Sequence, residues 1–133
     1  MKTYNLFISH SWNYSDAYIK VVGMLEDGRI EYKNHSVPKD DPIHTRGTDR
    51  ELEQAIRNKM SGTHCIIIMA GVYSSYSKWI QKEIKIALEM GKPIIAIKPW
   101  AQTRISTIVQ NNSDIMVGWN SKSIIDAIRG YSI

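Results

Sequence analysis

Short runs of apolar residues alternate along the chain with longer stretches in which apolar residues recur every three or four positions. The runs at Tyr4–Ile8, His64–Met69 and Ile94–Ile97 are nearly unbroken, which is typical of strands that a parallel sheet buries on both faces. The shorter runs Ile30–Tyr32 and Ile115–Val117 predict two further strands. The pattern therefore predicts about five strands.

Four stretches with helical spacing lie between or after these strands. They predict helices over residues 16–27, from 48 or 49 to about 60, from 77 to about 90, and over 121–129. A small polar residue that can cap a helix stands at each start: Ser15, Thr48 or Asp49, Ser77 and Ser121. Gly91 is expected to end the third helix. Residues 34–48 predict one long ordered loop, and the pattern defines residues 99–113 least.

Regular alternation of strands and helices requires parallel strands with right-handed crossovers and helices on both faces. We therefore expect one domain over residues 1–133, an α/β flavodoxin-like three-layer sandwich around a central, mainly parallel sheet of about five strands. Ligands of such folds bind beyond the carboxyl ends of the strands. The loops to inspect are residues 9–13, 34–48, 70–79 and 98–104.

Composition narrows the class of protein further. No apolar stretch is long enough for a transmembrane helix, and the start of the chain lacks a signal-peptide pattern, so we expect a cytoplasmic protein without membrane contact. The net charge is +4, but the basic residues are scattered, which does not favour nucleic-acid binding. The single cysteine, Cys65, is interpreted as a small buried hydrophobe. The four histidines show no metal-ligand spacing, so no metal site is expected, and His64 is interpreted as structural.

The sequence lacks the residues that several other functions of this fold require. The strand ends carry Met69-Ala70-Gly71 and Ser9-His10-Ser11 where a phospho-receiver domain has its aspartates. The glycine-rich nucleotide loops G-x-x-x-x-G-K-[ST] and G-x-G-x-x-G do not occur in the sequence. No serine lies in the G-x-S-x-G turn of a hydrolase.

The third predicted helix carries one charged residue, Glu83, inside an apolar arc. Two stripes make up this arc at about 100° per residue: Ile80, Ile84, Ala87 and Leu88 in one, Trp79, Ile86 and Met90 in the other. A carboxylate between them must be desolvated, paired or facing a cavity. A structural ion pair or a position at the helix surface would also explain it. Its place after the third strand, on the ligand side, favours a functional group.

A single carboxylate suits one kind of glycosidic bond. Hydrolysis of an ordinary O-glycoside takes two carboxylates, because the leaving group needs a proton. The pyridinium of NAD departs as neutral nicotinamide, so only the ribose cation has to be stabilised. Trp79, one turn before Glu83, is suited to wall such a pocket or to pack in the core.

The segment Ser77–Glu83 resembles the S-x-W-C-x-x-E motif of enzymatic TIR domains, with Ile80 in place of the cysteine. Leu6–Ser11 resembles the first TIR strand and the turn after it. Three further segments are similar to the TIR-like proteins of the Thoeris bacterial antiphage systems: Asn34–Ile43, Gly91–Ile95 and Val117–Asn120.

The resemblance implies a TIR-like NAD glycohydrolase or cyclase, whose product is a cyclic ADP-ribose isomer or a related conjugate that activates a separate effector protein. It implies that Glu83 is catalytic and that NAD is a substrate, with no cofactor. The residues that it implies contact the substrate are Ser9, His10, Ser11, Ser36, Val37, Pro38, Ser77 and Trp79. It also leaves room for a homo-oligomer formed through TIR–TIR contacts and for a phage-derived trigger.

Two other functions stay open from the sequence. One is a non-catalytic TIR-like interaction module, in which Glu83 would be dispensable. The other is an enzyme resembling nucleoside deoxyribosyltransferases, which would use a glutamate as a covalent nucleophile.

Overall fold

The computed structural model describes residues 3–9, 15–35, 48–71, 78–98 and 105–133, with the backbone alone at residues 15–18, 78 and 79. The five strands of this part are β1 (Tyr4–Ile8), β2 (Tyr32–Asn34), β3 (Cys65–Met69), β4 (Ile94–Ile97) and β5 (Ile115–Val117). The five helices are α1 (Ser15–Asp27), α2 (Asp49–Ser61), α3 (Lys78–Glu89), α4 (Thr107–Asn112) and α5 (Ser121–Tyr131).

All the strands lie parallel in one sheet of order β2-β1-β3-β4-β5. This order is that of flavodoxin-like folds, so the predicted fold class is confirmed. In the register, Phe7 lies opposite Ile66, and Ile67 lies opposite Ile95. The central strands β3 and β4 are buried throughout, as expected for strands covered on both faces.

The pleat of the strands sorts their side chains into two apolar layers. One layer holds Leu6 and Ile8 of β1 and packs against α1 and α5. The other layer holds Phe7 and packs against α2, α3 and α4. In α2, Leu52, Ile56 and Met60 recur every four residues and are buried in this second layer. The helix that carries Glu83 therefore covers the face to which Phe7 points.

Some predicted boundaries were wrong. The second strand lies two residues later than Ile30–Tyr32, because Ile30 is buried in the first apolar layer after Arg29 takes a positive φ of 57°. Asn120, rather than Ser121, caps α5 through its side chain, which accepts a hydrogen bond from the Ser123 N–H. In the poorly defined segment 99–113, Ser106 caps the short helix α4.

The interpretations of Cys65 and His64 are confirmed. Cys65 is free and buried, and burial raises the pKa of its thiol to about 11. The Asn5 N–H donates to Nδ1 of His64 at 2.8 Å, and the ring of Tyr4 meets the imidazole edge-on. His64 therefore ties β1 to the start of β3. None of the helices in the described ranges is both long and apolar enough to cross a membrane.

Gly91 ends α3 in a Schellman motif, since its φ is 68° and the Lys92 N–H donates to the Ala87 carbonyl at 2.9 Å. We expect Gly91→Ala to lower the free energy of unfolding by about 1 kcal/mol, because a Cβ strains this conformation. Gly130 lies within α5 with open space around its Cα, so Gly130→Ala is expected to raise stability by about 0.5 kcal/mol. Urea unfolding of both variants measures the two effects, and equal signs would contradict the assignment of Gly91.

Candidate active site

Glu83 lies near the middle of the buried face of α3. Its neighbours on this face are Ile80, Ile84, Ile86 and Ala87, all buried. Glu83 itself is only 5% exposed. Leu88 was predicted to belong to the aliphatic stripe, but it is 53% exposed, because it lies on the far side of Ile84 from the centre of this face. The buried arc is therefore narrower than predicted, and Glu83 is nearer to its centre.

Ser9 is the polar residue that meets this carboxyl group. It directly follows β1 and continues its pairing, since the Ser9 N–H donates to the Ile67 carbonyl at 2.8 Å. Strand alternation points its side chain to the same face as Phe7, toward α3. Ser9 is 2% exposed. The topology thus brings together two polar side chains that lie 74 positions apart in the sequence.

Burial dominates the electrostatics of this pair. Loss of water around the carboxyl group raises the pKa of Glu83 from 4.5 to about 8, and the nearby Ser9 hydroxyl lowers it to a smaller extent. The two groups are close, but neither Glu83 Oε2 nor Ser9 Oγ completes a hydrogen bond of good geometry with the described residues. Because a charged carboxylate is costly without partners, burial favours the neutral, protonated form of this side chain.

The pair lies at the point where the strand order of the sheet reverses. β1 lies between β2 and β3. The chain therefore adds β2 on one side of β1 and then adds β3 on the other side. Flavodoxin-like folds bind ligands at this switch point, outside the carboxyl ends of the strands. Ser9 lies there, and Glu83 meets it from the covering helix.

A further contact closes the end of β3, and sequence reasoning missed it. Gly71 forms an antiparallel bridge with Ile105, and the Ser106 N–H donates to the Ala70 carbonyl at 2.8 Å. Ser106 is fully buried and caps α4. The signal available in the sequence was the serine before a short apolar stretch, which is typical of a helix start.

The structure describes only part of the predicted site. It brings Glu83 and Ser9 together. Outside the described residues lie His10, Ser11, Ser36, Val37, Pro38 and Ser77, and also the side chain of Trp79. Their substrate contacts stay predictions. Among the described residues, no three acidic, histidine or cysteine side chains are grouped to hold a metal ion.

A cavity of about 370 Å³ lies at the opposite edge of the sheet, where β4 and β5 begin. Its charged groups have structural partners. Lys92 Nζ donates to the carbonyls of Ser61 and Thr63 at 3.0 and 2.9 Å, and Asp114 Oδ2 accepts from the Ile94 N–H at 2.7 Å. These bonds fix the end of α2 and the start of β4. The candidate site is therefore the pair Glu83 and Ser9 rather than this cavity.

A parallel sheet of this order, with a buried carboxyl group at its switch point, defines an α/β protein of the flavodoxin-like class. The model of the family "Thoeris protein ThsB, TIR-like domain" matches residues 7–104, which include Ser9 and Glu83. This match spans most of the chain, and the chain belongs to that family. The predicted resemblance is confirmed. No curated protein matches the chain.

Solved structures show the same fold at low sequence identity. The chain is similar to a CMP N-glycosidase, BcmB, from Clostridium botulinum, with a TM-score of 0.55 and 16% identity over 94% of this chain and 98% of that one. It is also similar to FerB, a flavoenzyme NAD(P)H:(acceptor) oxidoreductase from Paracoccus denitrificans, with a TM-score of 0.53 and 14% identity over 100% of both chains. Because such identities support the fold alone, function must be argued from the site.

Proposed function

We propose that this protein cleaves the bond between nicotinamide and ribose in NAD, with Glu83 as the catalytic carboxylate. The observation that carries the proposal is the position of Glu83 at the switch point of the sheet, as a buried carboxyl group with one oxygen that has no partner among the described residues. Membership of the Thoeris TIR-like family supports it. A buried polar atom without a partner is rare in proteins and typically has a functional reason.

The chemistry needs one ionised carboxylate. The bond between C1′ and the pyridinium nitrogen breaks, and both of its electrons go to nitrogen, so nicotinamide leaves as a neutral molecule. The positive charge moves to C1′ and the ring oxygen of the ribose. A carboxylate fixed beside this charge in a site of low polarity stabilises it far more than water would. Glu83 is held for this role by the packed face of α3.

The ribose cation is then captured by an acceptor. With water as the acceptor, the product is ADP-ribose and one proton is released. With an atom of the same ADP-ribose as the acceptor, the product is cyclic. We propose a product of the cyclic ADP-ribose type, formed after a phage-derived trigger and detected by a separate effector protein, as the family resemblance implies.

The direct assay incubates the purified protein at high concentration with NAD and separates the nucleotides by chromatography. Parallel reactions contain extract from phage-infected or uninfected bacteria, which tests the proposed trigger. Release of nicotinamide with loss of NAD supports the proposal. CMP is offered as a second substrate, because BcmB is a CMP N-glycosidase of similar fold. Cleavage of CMP with NAD left intact would overturn the choice of substrate.

Ser9→Ala is expected to move the pH profile of kcat/KM for nicotinamide release to higher pH. The Ser9 hydroxyl lowers the pKa of Glu83, so its loss makes the carboxyl group ionise later. Because the contact lacks good hydrogen-bond geometry, its loss is expected to cost less than the roughly 1 kcal/mol of a full hydrogen bond, which corresponds to a shift below about one pH unit. The profile of kcat/KM reports the ionisation of the free enzyme. A profile displaced to lower pH would contradict the contact between these residues.

A further inference from the structure

We propose, on the premise that Glu83 is the catalytic carboxylate, that this residue selects substrates by permanent positive charge: it meets the substrate as a neutral acid and gives its proton to solvent when a pyridinium enters the site. Binding of NAD is then coupled to the release of one proton. Neutral N-glycosides gain nothing from this coupling. The site thereby separates oxidised from reduced nicotinamide nucleotides at the binding step.

The described residues around Glu83 supply no counter-charge. Each described element that packs on this face of α3 presents uncharged side chains. From the sheet these are Phe7 of β1 with Ser9 after it, Ile66 and Ile68 of β3 with Ala70 after it, and Ile94 and Ala96 of β4. From the helices they are Leu52, Ile56 and Met60 of α2 and Val109 of α4.

The charged groups near these helices lie at the surface. Arg57 of α2 pairs with Glu53 and with Glu89 of α3, and the side chains of this network are 30–43% exposed. Lys85 is exposed, and Lys82 is partly exposed on the flank of α3. Within the described ranges, burial and the Ser9 hydroxyl account for the raised pKa of Glu83, and no charged side chain contributes. In the proposed coupling, the cation that stabilises the ionised carboxylate is therefore the one that the ligand carries.

The pyridinium ring of NAD carries such a charge at every pH, whereas the dihydropyridine ring of NADH is neutral. Before binding, the carboxyl group is protonated and the site is neutral. After binding, a carboxylate faces a pyridinium, and the proton has passed to the buffer, so charge balances. The pKa of about 8 for the free site sets the pH range of the effect. As the pH rises toward that value, the affinity of the site for NAD is expected to increase by about tenfold per pH unit.

The experiment uses titration calorimetry with carba-NAD, in which a methylene group replaces the ring oxygen of the nicotinamide ribose and blocks cleavage. Titrations at about pH 6.5 in two buffers of different ionisation enthalpy count the protons released. We expect about one proton per carba-NAD bound to the wild-type protein and none for NADH. Glu83→Gln is expected to bind without proton release. Glu89→Gln, the same change at an exposed position of α3, is expected to match wild type.

The outcomes separate this proposal from its premise. If wild type binds carba-NAD without releasing a proton while it still frees nicotinamide from NAD, the selection by charge is overturned and the proposed function stands. If wild type neither binds carba-NAD nor cleaves NAD, both are overturned. Equal proton release by wild type and Glu83→Gln would assign the proton to another group and overturn the proposal for Glu83.

Discussion

Glu83→Gln is expected to lower the rate of nicotinamide release by about 10²–10³-fold, the usual effect of removing one group that stabilises charge in a transition state. Glutamine keeps the shape of the side chain within the packed face of Ile80, Ile84 and Ala87. It cannot carry the negative charge that the ribose cation requires. The rate is measured at a saturating concentration of NAD and at about pH 8.5, where the wild-type carboxyl group is mostly ionised.

Glu89→Gln is the matched control for this measurement. Glu89 lies on the same helix but is exposed, and it pairs with Arg57 at the surface. Its loss is expected to change the rate by less than about threefold, since exposed ion pairs contribute little to stability. Thermal unfolding of each variant shows whether it is folded. Equal rates for wild type and Glu83→Gln would show that Glu83 takes no part in the cleavage reaction.

Glu83→Gln is also expected to become more stable relative to wild type as the pH rises. In the folded protein the pKa of Glu83 is raised to about 8 from an ordinary value of 4.5. The contribution of Glu83 to wild-type stability is therefore fully present below pH 4.5 and is lost as the pH rises through about 8. Glutamine does not ionise, so the variant escapes this loss. Across that range, its advantage is expected to grow by up to about 1.4 kcal/mol per pH unit.

Urea unfolding of wild type and Glu83→Gln at one-unit steps of pH between 5 and 9 measures this difference. The free energies of the two proteins are expected to diverge up to about pH 8 and then to run parallel. A difference that stays constant with pH would show that Glu83 is ionised throughout and not desolvated as the structure indicates.

The fold could be predicted where local pattern and packing agree. The run Cys65–Met69 is buried on both faces, and an unbroken apolar run is what such a strand requires. The second strand could not be placed from pattern alone, because the apolar Ile30 packs under α1 and α5 rather than in the strand. β2 is an edge strand with two exposed residues. Because so little of it is buried, its sequence shows little alternation of apolar and polar residues.

The candidate site was predictable to a similar extent. Helical periodicity alone placed Glu83 among apolar residues, and the structure buries it there. Its contact with Ser9 depends on sheet order and on the pleat of β1, which local spacing does not encode. The exposure of Leu88 also depends on tertiary packing. The catalytic role of Glu83 stays a prediction, as do the substrate contacts of the residues beyond the described ranges.

A crystal structure of the protein with carba-NAD bound tests the central claim most directly, because it measures the distance between Glu83 and the reacting sugar. We expect a carboxylate oxygen of Glu83 within about 3.5 Å of C1′ or of the neighbouring hydroxyl group of the nicotinamide ribose. The nicotinamide ring would then lie beyond the carboxyl ends of β1 and β3. An analogue bound with this ribose elsewhere, and Glu83 still sealed among its apolar neighbours, would contradict the account.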